Sequence, residues 1–304
     1  MGAGGRRPAG RGGARVTTVA RTVGTNPIGV HLPRDRPAGS TAAADRPSNA
    51  PVIVLAPAYS GASMLRLLLE GHPELACTSG TGLLQLCEQA MATWRIADGR
   101  PAGPPSSLAF TATRALASSV VISILAREGK PRLCEVAAAN PQAAETFLRL
   151  YPETRFLCLY RACPGVIRAA LDASPWGITD PVFAPFTIKH PANTVASLTA
   201  YWVTVTGPLL AFEREHPRSC LRVRFEDLAR DQRQVEERAI SFLGLTSTVG
   251  RAVLGGHREA WPTTPETGLM ADPPGHLVPP ALRAQANDLL RQLDYPVMAE
   301  GQTS

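Results

Sequence analysis

At 304 residues with 44% apolar side chains, the chain is long enough to bury one large core or two modest ones. Its formal charge of +6 is matched by the first fifty residues alone, where eight arginines face only Asp35 and Asp45. The remainder is electroneutral, which removes the case for a nucleic-acid-binding body, and no run of eighteen apolar residues offers itself to a bilayer. Six scattered cysteines, without a Cys-x-x-Cys or a pair of His at ligand spacing, argue against a metal site and read as reduced buried thiols. Arg6-Arg7 is not followed by the apolar run of a secretory signal, so the cytoplasm is the expected compartment.

Residues 1–48 are rich in Gly, Ala, Arg and Pro without sustained periodicity, and the expectation is a disordered tail ahead of one domain over 49–300. From Val52 to Leu55 an apolar strand runs into a small-residue turn, then into a helix marked by Leu65, Leu68 and Leu69. A short strand is expected at Glu74–Thr78, helices at Gly82–Ile96 and Ala109–Arg127, and a buried strand at Arg132–Val136. Asn140 and Pro141 supply a cap and a first-turn proline for a helix with its apolar stripe on Ala144, Phe147, Leu148 and Tyr151. Strand Arg155–Tyr160 and helix Pro164–Ala173 continue the alternation, which predicts an α/β fold with a parallel central sheet flanked by helices. The longest helix is expected over Asn193–Glu215, a last strand over Cys220–Phe225, and helices over Gln234–Leu243 and Ala281–Leu293. The Pro- and Gly-rich stretch from Trp261 to Pro280 is long enough to act as a lid.

The turn after the first strand, Ala56-Pro57-Ala58-Tyr59-Ser60-Gly61-Ala62-Ser63, gathers backbone N–H groups and the positive end of a helix dipole around one point. Such a point binds phosphate, with Gly61 allowing close approach and the hydroxyls of Ser60 and Ser63 as donors. No Gly-x-x-x-x-Gly-Lys-[Ser/Thr] or Gly-x-Gly-x-x-Gly can be read there.

The run Val52–Leu55, Ser60-Gly61-Ala62-Ser63-Met64-Leu65-Arg66-Leu67-Leu68 and His72-Pro73 resembles the opening of bacterial sulfotransferases, where it forms the 5′-phosphosulfate loop. Arg155–Ala169, Leu221–Leu228 and Leu289–Pro296 resemble later segments of that family in the family's order, so the resemblance covers about residues 51–296. It implies a P-loop-like three-layer fold and transfer of a sulfuryl group from 3′-phosphoadenosine 5′-phosphosulfate to a hydroxyl or amine of a small molecule. No metal, nucleic acid or membrane is required. It also implies a donor site of Tyr59, Ser60, Gly61, Ala62, Ser63 and Arg66 at the 5′ end, with Arg161 and Arg168 at the 3′-phosphate.

The family's loop cation is Tyr59 here, its loop Thr is Ala62, its phosphate-binding Ser is Ala169, and the Lys of its Lys-[Ser/Thr]-Pro stretch is Val136. A loop cation stabilises charge on the bridging oxygen as the sulfuryl group leaves, an effect worth on the order of several kcal/mol. Arg66 is the candidate replacement. Glu135 is the candidate general base, since a carboxylate in an apolar strand must be paired or have its pKa raised; His190 and His257 are alternatives. His72 reads as structural, as does the pair Glu226-Asp227, which follows a strand edge and opens a helix whose dipole favours acids. Two other readings stay open: a nucleotide-binding or scaffold protein that has lost turnover, and a P-loop-type kinase, which the missing loop lysine disfavours.

Overall fold

A computed structural model describes residues 50–99, 102–174, 177–246 and 275–299. Five strands form one parallel sheet: β1 (Val52–Ala56), β2 (Leu75–Ser79), β3 (Arg132–Ala138), β4 (Arg155–Tyr160) and β5 (Cys220–Arg224), in the spatial order β2-β3-β1-β4-β5. The register sets Ile53 beside Glu135 on one side and beside Phe156 on the other, so β1 is the middle strand.

A middle strand buried on both faces must be apolar without interruption, and β1 is Val-Ile-Val-Leu-Ala with every residue buried. Alternate side chains enter opposite layers. Val52, Val54 and Ala56 pack with Leu65, Leu68 and Leu69 of α1 (Ala62–Glu70) and with Val235, Ala239 and Leu243. Ile53 and Leu55 belong to a larger core that includes α2 (Leu83–Ala97), α3 (Ser107–Glu128), α4 (Pro141–Leu150) and α5 (Cys163–Ala173). The same core takes in α7 (Thr194–Glu215) and α10 (Pro280–Gln292). The first layer is completed by α8 (Phe225–Arg230) and α9 (Gln232–Leu243).

The helix after β1 therefore lies on one face, whereas those after β3 and β4 lie on the other. Strand order reverses about β1, and in open α/β sheets ligands bind at the carboxyl end of such a strand.

The expected strands and helices are present, most within two residues of their predicted ends. The short helix α6 (Ala184–Lys189) and the 3-10 turn Pro181–Phe183 were not anticipated as elements, whereas α8 opens where expected, with Glu226 and Asp227 in its first turn. The predicted tail, the lid segment up to Pro274 and His257 lie outside the described residues. Among the described residues two helices are long and apolar enough to cross a membrane by length and composition, although neither is an uninterrupted apolar run. In α7 most of that apolar stretch is buried inside the protein; in α3 it is not.

Candidate functional site

The chain leaves β1 at Ala56 and turns tightly, with the Ser60 amide donating to the Pro57 carbonyl at 3.3 Å. Tyr59 takes a left-handed conformation at φ 62°, and Gly61, the N-cap of α1, stands at φ 93°. A non-glycine residue at positive φ costs on the order of 1–3 kcal/mol unless its surroundings hold it. Here three contacts do so. Arg161 donates from Nη1 to the Tyr59 carbonyl at 3.0 Å, the Ala58 amide donates to the Tyr201 hydroxyl at 2.7 Å, and the Tyr59 ring stacks on Phe183 at 5.7 Å.

Beyond the turn, Met64 and Leu65 both donate to the Gly61 carbonyl, whereas no side chain caps the helix. The amides of Gly61, Ala62 and Ser63 have no partner among the described residues. They point along the axis at the positive end of the α1 dipole, the arrangement that binds an anion. Ser63 is exposed on the first turn. Ser60 is used differently from expectation: it is fully buried and its hydroxyl donates to the Pro57 carbonyl at 2.6 Å, so it shapes the turn and is not a free donor.

Arg161 reaches this loop from the end of β4. Its guanidinium lies 4.0 Å over the Phe225 ring, and burial draws its pKa down while Glu226 opposes the shift. The backbone behind it is fixed by Trp202, whose indole N–H donates to the Arg161 carbonyl at 2.9 Å. Glu226 accepts from the Ala162 amide at 3.0 Å and from the Tyr295 hydroxyl at 2.7 Å, a structural clasp between β4, α8 and the chain after α10. Arg224 lies 4.2 Å over the Tyr295 ring and completes the group.

The other expected residues are placed elsewhere. Arg66 pairs with Glu70 one turn along the outside of α1, at 2.5 Å, so the loop gains no cation from it. Arg168 pairs with Asp172 at 3.0 Å, one turn along α5. Glu135 sits three residues below the end of β3, about 10 Å at strand rise. Its carboxylate accepts from the Leu83 amide at 3.4 Å, capping α2, and burial pushes its pKa up against the hydrogen bonds of Thr81, Leu83 and Gly82. His72 is a turn residue, with Nδ1 accepting from the Glu74 amide and Nε2 against the Thr246 carbonyl. His190 follows α6 as its C-cap.

Sequence reasoning missed Phe225, Tyr201 and Phe183, which hold the loop from distant segments. It also missed Gly165: a Cβ there would lie 2.9 Å from Arg161 Nε. Glycine two residues into α5, where it is a poor helix former, was the available signal.

The family model described as "Sulfotransferase family" matches residues 51–248, from β1 through the last residues after α9. The chain belongs to the sulfotransferase family. This family member is 24% identical over 188 residues to a Caenorhabditis briggsae protein named "Putative protein-tyrosine sulfotransferase", covering 61% of this chain and 62% of that one. The chain thus spans less than two thirds of that relative's length. Its fold is similar to the sulfotransferase domain from the curacin biosynthetic pathway, with a TM-score of 0.53 at 16% identity over 83% of this chain and all of that one. It is similar also to a sulfotransferase from Mycobacterium avium, with a TM-score of 0.51 at 12% identity, covering 84% and 80% of the two chains. Against this family the kinase reading falls away.

Proposed function

We propose that this sulfotransferase uses 3′-phosphoadenosine 5′-phosphosulfate as donor and transfers its sulfuryl group to a hydroxyl, phenol or amine of a small molecule in the cytoplasm. The observation that carries the reading is the set of unpartnered amides of Gly61, Ala62 and Ser63 beside Arg161. These groups fit the donor's 5′-phosphosulfate, with the Ser63 hydroxyl as an additional donor. In the family the cation at the end of β4 holds the 3′-phosphate, and Arg161 takes that part here with whichever donors its bond to Tyr59 leaves available.

In the reaction the acceptor oxygen or nitrogen attacks sulfur in line, the bond from sulfur to the bridging oxygen breaks, and adenosine 3′,5′-bisphosphate leaves. The acceptor proton passes to solvent or to a base; the capping of α2 leaves Glu135 poorly placed for that part. Amides at the helix end stabilise the charge arriving on the leaving oxygen. With Tyr59 in the cation's place and Arg66 paired to Glu70, that stabilisation lacks its largest contribution. The expected enzyme is slow.

The test is turnover with the donor and a panel of phenols, alcohols and amines, comparing wild type with Tyr59→Lys. Transfer by the wild type, raised at least tenfold by Tyr59→Lys, supports the reading. A second reading, nucleotide binding without turnover, is favoured by Tyr59, Ala62 and Ala169 together. It is the outcome if donor binds but neither protein transfers. Failure of donor and bisphosphate to bind at all sinks both.

A further inference from the structure

Helix α3 presents to solvent a face that belongs in an interior. Leu108 is 62% exposed, Leu116 45% and Ile122 65%, and Ile96 of the neighbouring α2 is 71% exposed. Between Arg114 and Arg127 the helix has no charged residue, and Arg114 itself turns back over the Tyr151 ring at 5.2 Å. A helix apolar on every side is normally covered on every side, and a contiguous exposed apolar strip marks a contact surface.

The hydroxyls on this face are already satisfied. Thr111 donates to the Ser107 carbonyl at 3.0 Å, Ser119 to Ala115 at 3.0 Å, and Ser123 to Ser119 at 2.8 Å. Covering them strands no donor, so each behaves as a small apolar residue. Thr111, Ala115, Ser119 and Ser123 recur every fourth position, which aligns them in one row along the helix and leaves a groove a second helix can approach closely. Leu116 and Ile122 rise on opposite sides of that row.

We propose that this face of α3 is the contact surface for a second copy of the chain, packed antiparallel about Ser119. A two-fold axis there sets Leu116 of one copy over Ser123 of the other and Ile122 over Ala115, large on small at both ends. The same surface on both copies is what a closed dimer requires. The helix is about 33 Å long, and two such strips with Ile96 reach the lower end of the roughly 1,000 Å² that a specific interface needs. An interfacial membrane helix is rich in Lys and Arg along its polar face, whereas the charged residues of α3 are Arg114, Arg127 and Glu128 alone.

Sedimentation velocity of the full chain between about 1 and 100 μM tests the proposal. The expected result is a mass rising towards the dimer with concentration. Ile122→Glu raises the dissociation constant at least tenfold while leaving unchanged the melting temperature of dilute, monomeric protein, because that side chain is largely exposed in the monomer. Oxidative cross-linking of Ser119→Cys gives a linked dimer, whereas Arg127→Cys, off the row, does not. The proposal is overturned by a chain that stays monomeric throughout, by a dimer indifferent to Ile122→Glu, or by flotation with liposomes that Ile122→Glu abolishes, which would give the face to a membrane.

Discussion

A Cβ built on Gly61 would lie 2.2 Å from Cδ2 of Phe225, and the residue stands at φ 93°. Gly61→Ala therefore combines left-handed strain with overpacking, together about 2–5 kcal/mol. Urea unfolding is expected to show a loss of that size. The double variant with Phe225→Ala should lose less than the sum of the two single changes, since it removes the clash the two residues share. Additive losses would mean that the loop relaxes away from Phe225. At this scale the sequence shows one side of the site. Tyr59, Gly61 and Ser63 are legible because they sit together between a strand and a helix, and Arg161 because it ends an apolar strand. Phe225, Tyr201 and Phe183 are not, because nothing in a linear pattern tells which distant aromatic ring a turn will rest on. Arg66 and Arg168 are engaged for a local reason: each has an acid four residues on, one helical turn away, and pairs with it.

Elements were easier to read where their period was long. Strand β1 and helix α4 announce themselves by a continuous apolar run and by an Asn-Pro start, whereas α6 is six residues, shorter than two turns and too brief for a period to show; α8, equally short, shows only in the acidic pair that opens it. Glu135 illustrates the limit. Its presence in an apolar strand flagged it, but only the packing of α2 over β3 reveals that the carboxylate caps the helix.

Burial raises its pKa in the folded protein, so the folded state holds the proton more tightly than the unfolded chain. The linked stability is fully present below the ordinary carboxylate range and declines as pH rises through the folded value. Glu135→Gln keeps an acceptor for the Leu83 amide while removing the buried charge. Thermal unfolding from acid to neutral pH should then show a flatter pH dependence than wild type and a neutral-pH melting temperature no lower. Glu135→Ala, which deletes the cap, should lose about 1 kcal/mol or more at every pH. A steeper pH dependence in Glu135→Gln would contradict this assignment.

For the whole molecule, the order β2-β3-β1-β4-β5 decides where a ligand can sit, because at the end of β1 the connections to its neighbours leave for opposite faces. Alternating strands and helices made a parallel sheet legible; the strand order was not, since it depends on which faces the helices cover. The site is then a property of the folded state alone, and a ligand bound there must stabilise the whole cooperative unit. At a hundredfold excess over its dissociation constant, adenosine 3′,5′-bisphosphate should contribute about 2.7 kcal/mol, a rise of roughly 5–10 °C for a domain of this size. Arg161→Ala should abolish most of that rise and also lower the unliganded melting temperature, because it removes the bond to Tyr59 and the stack on Phe225. Phe225→Ala separates the two effects: it weakens the support of Arg161 without removing the cation, so it should lower the baseline yet retain part of the shift. If Phe225→Ala loses the shift as completely as Arg161→Ala, then loop shape, and not the guanidinium, is what the nucleotide reads.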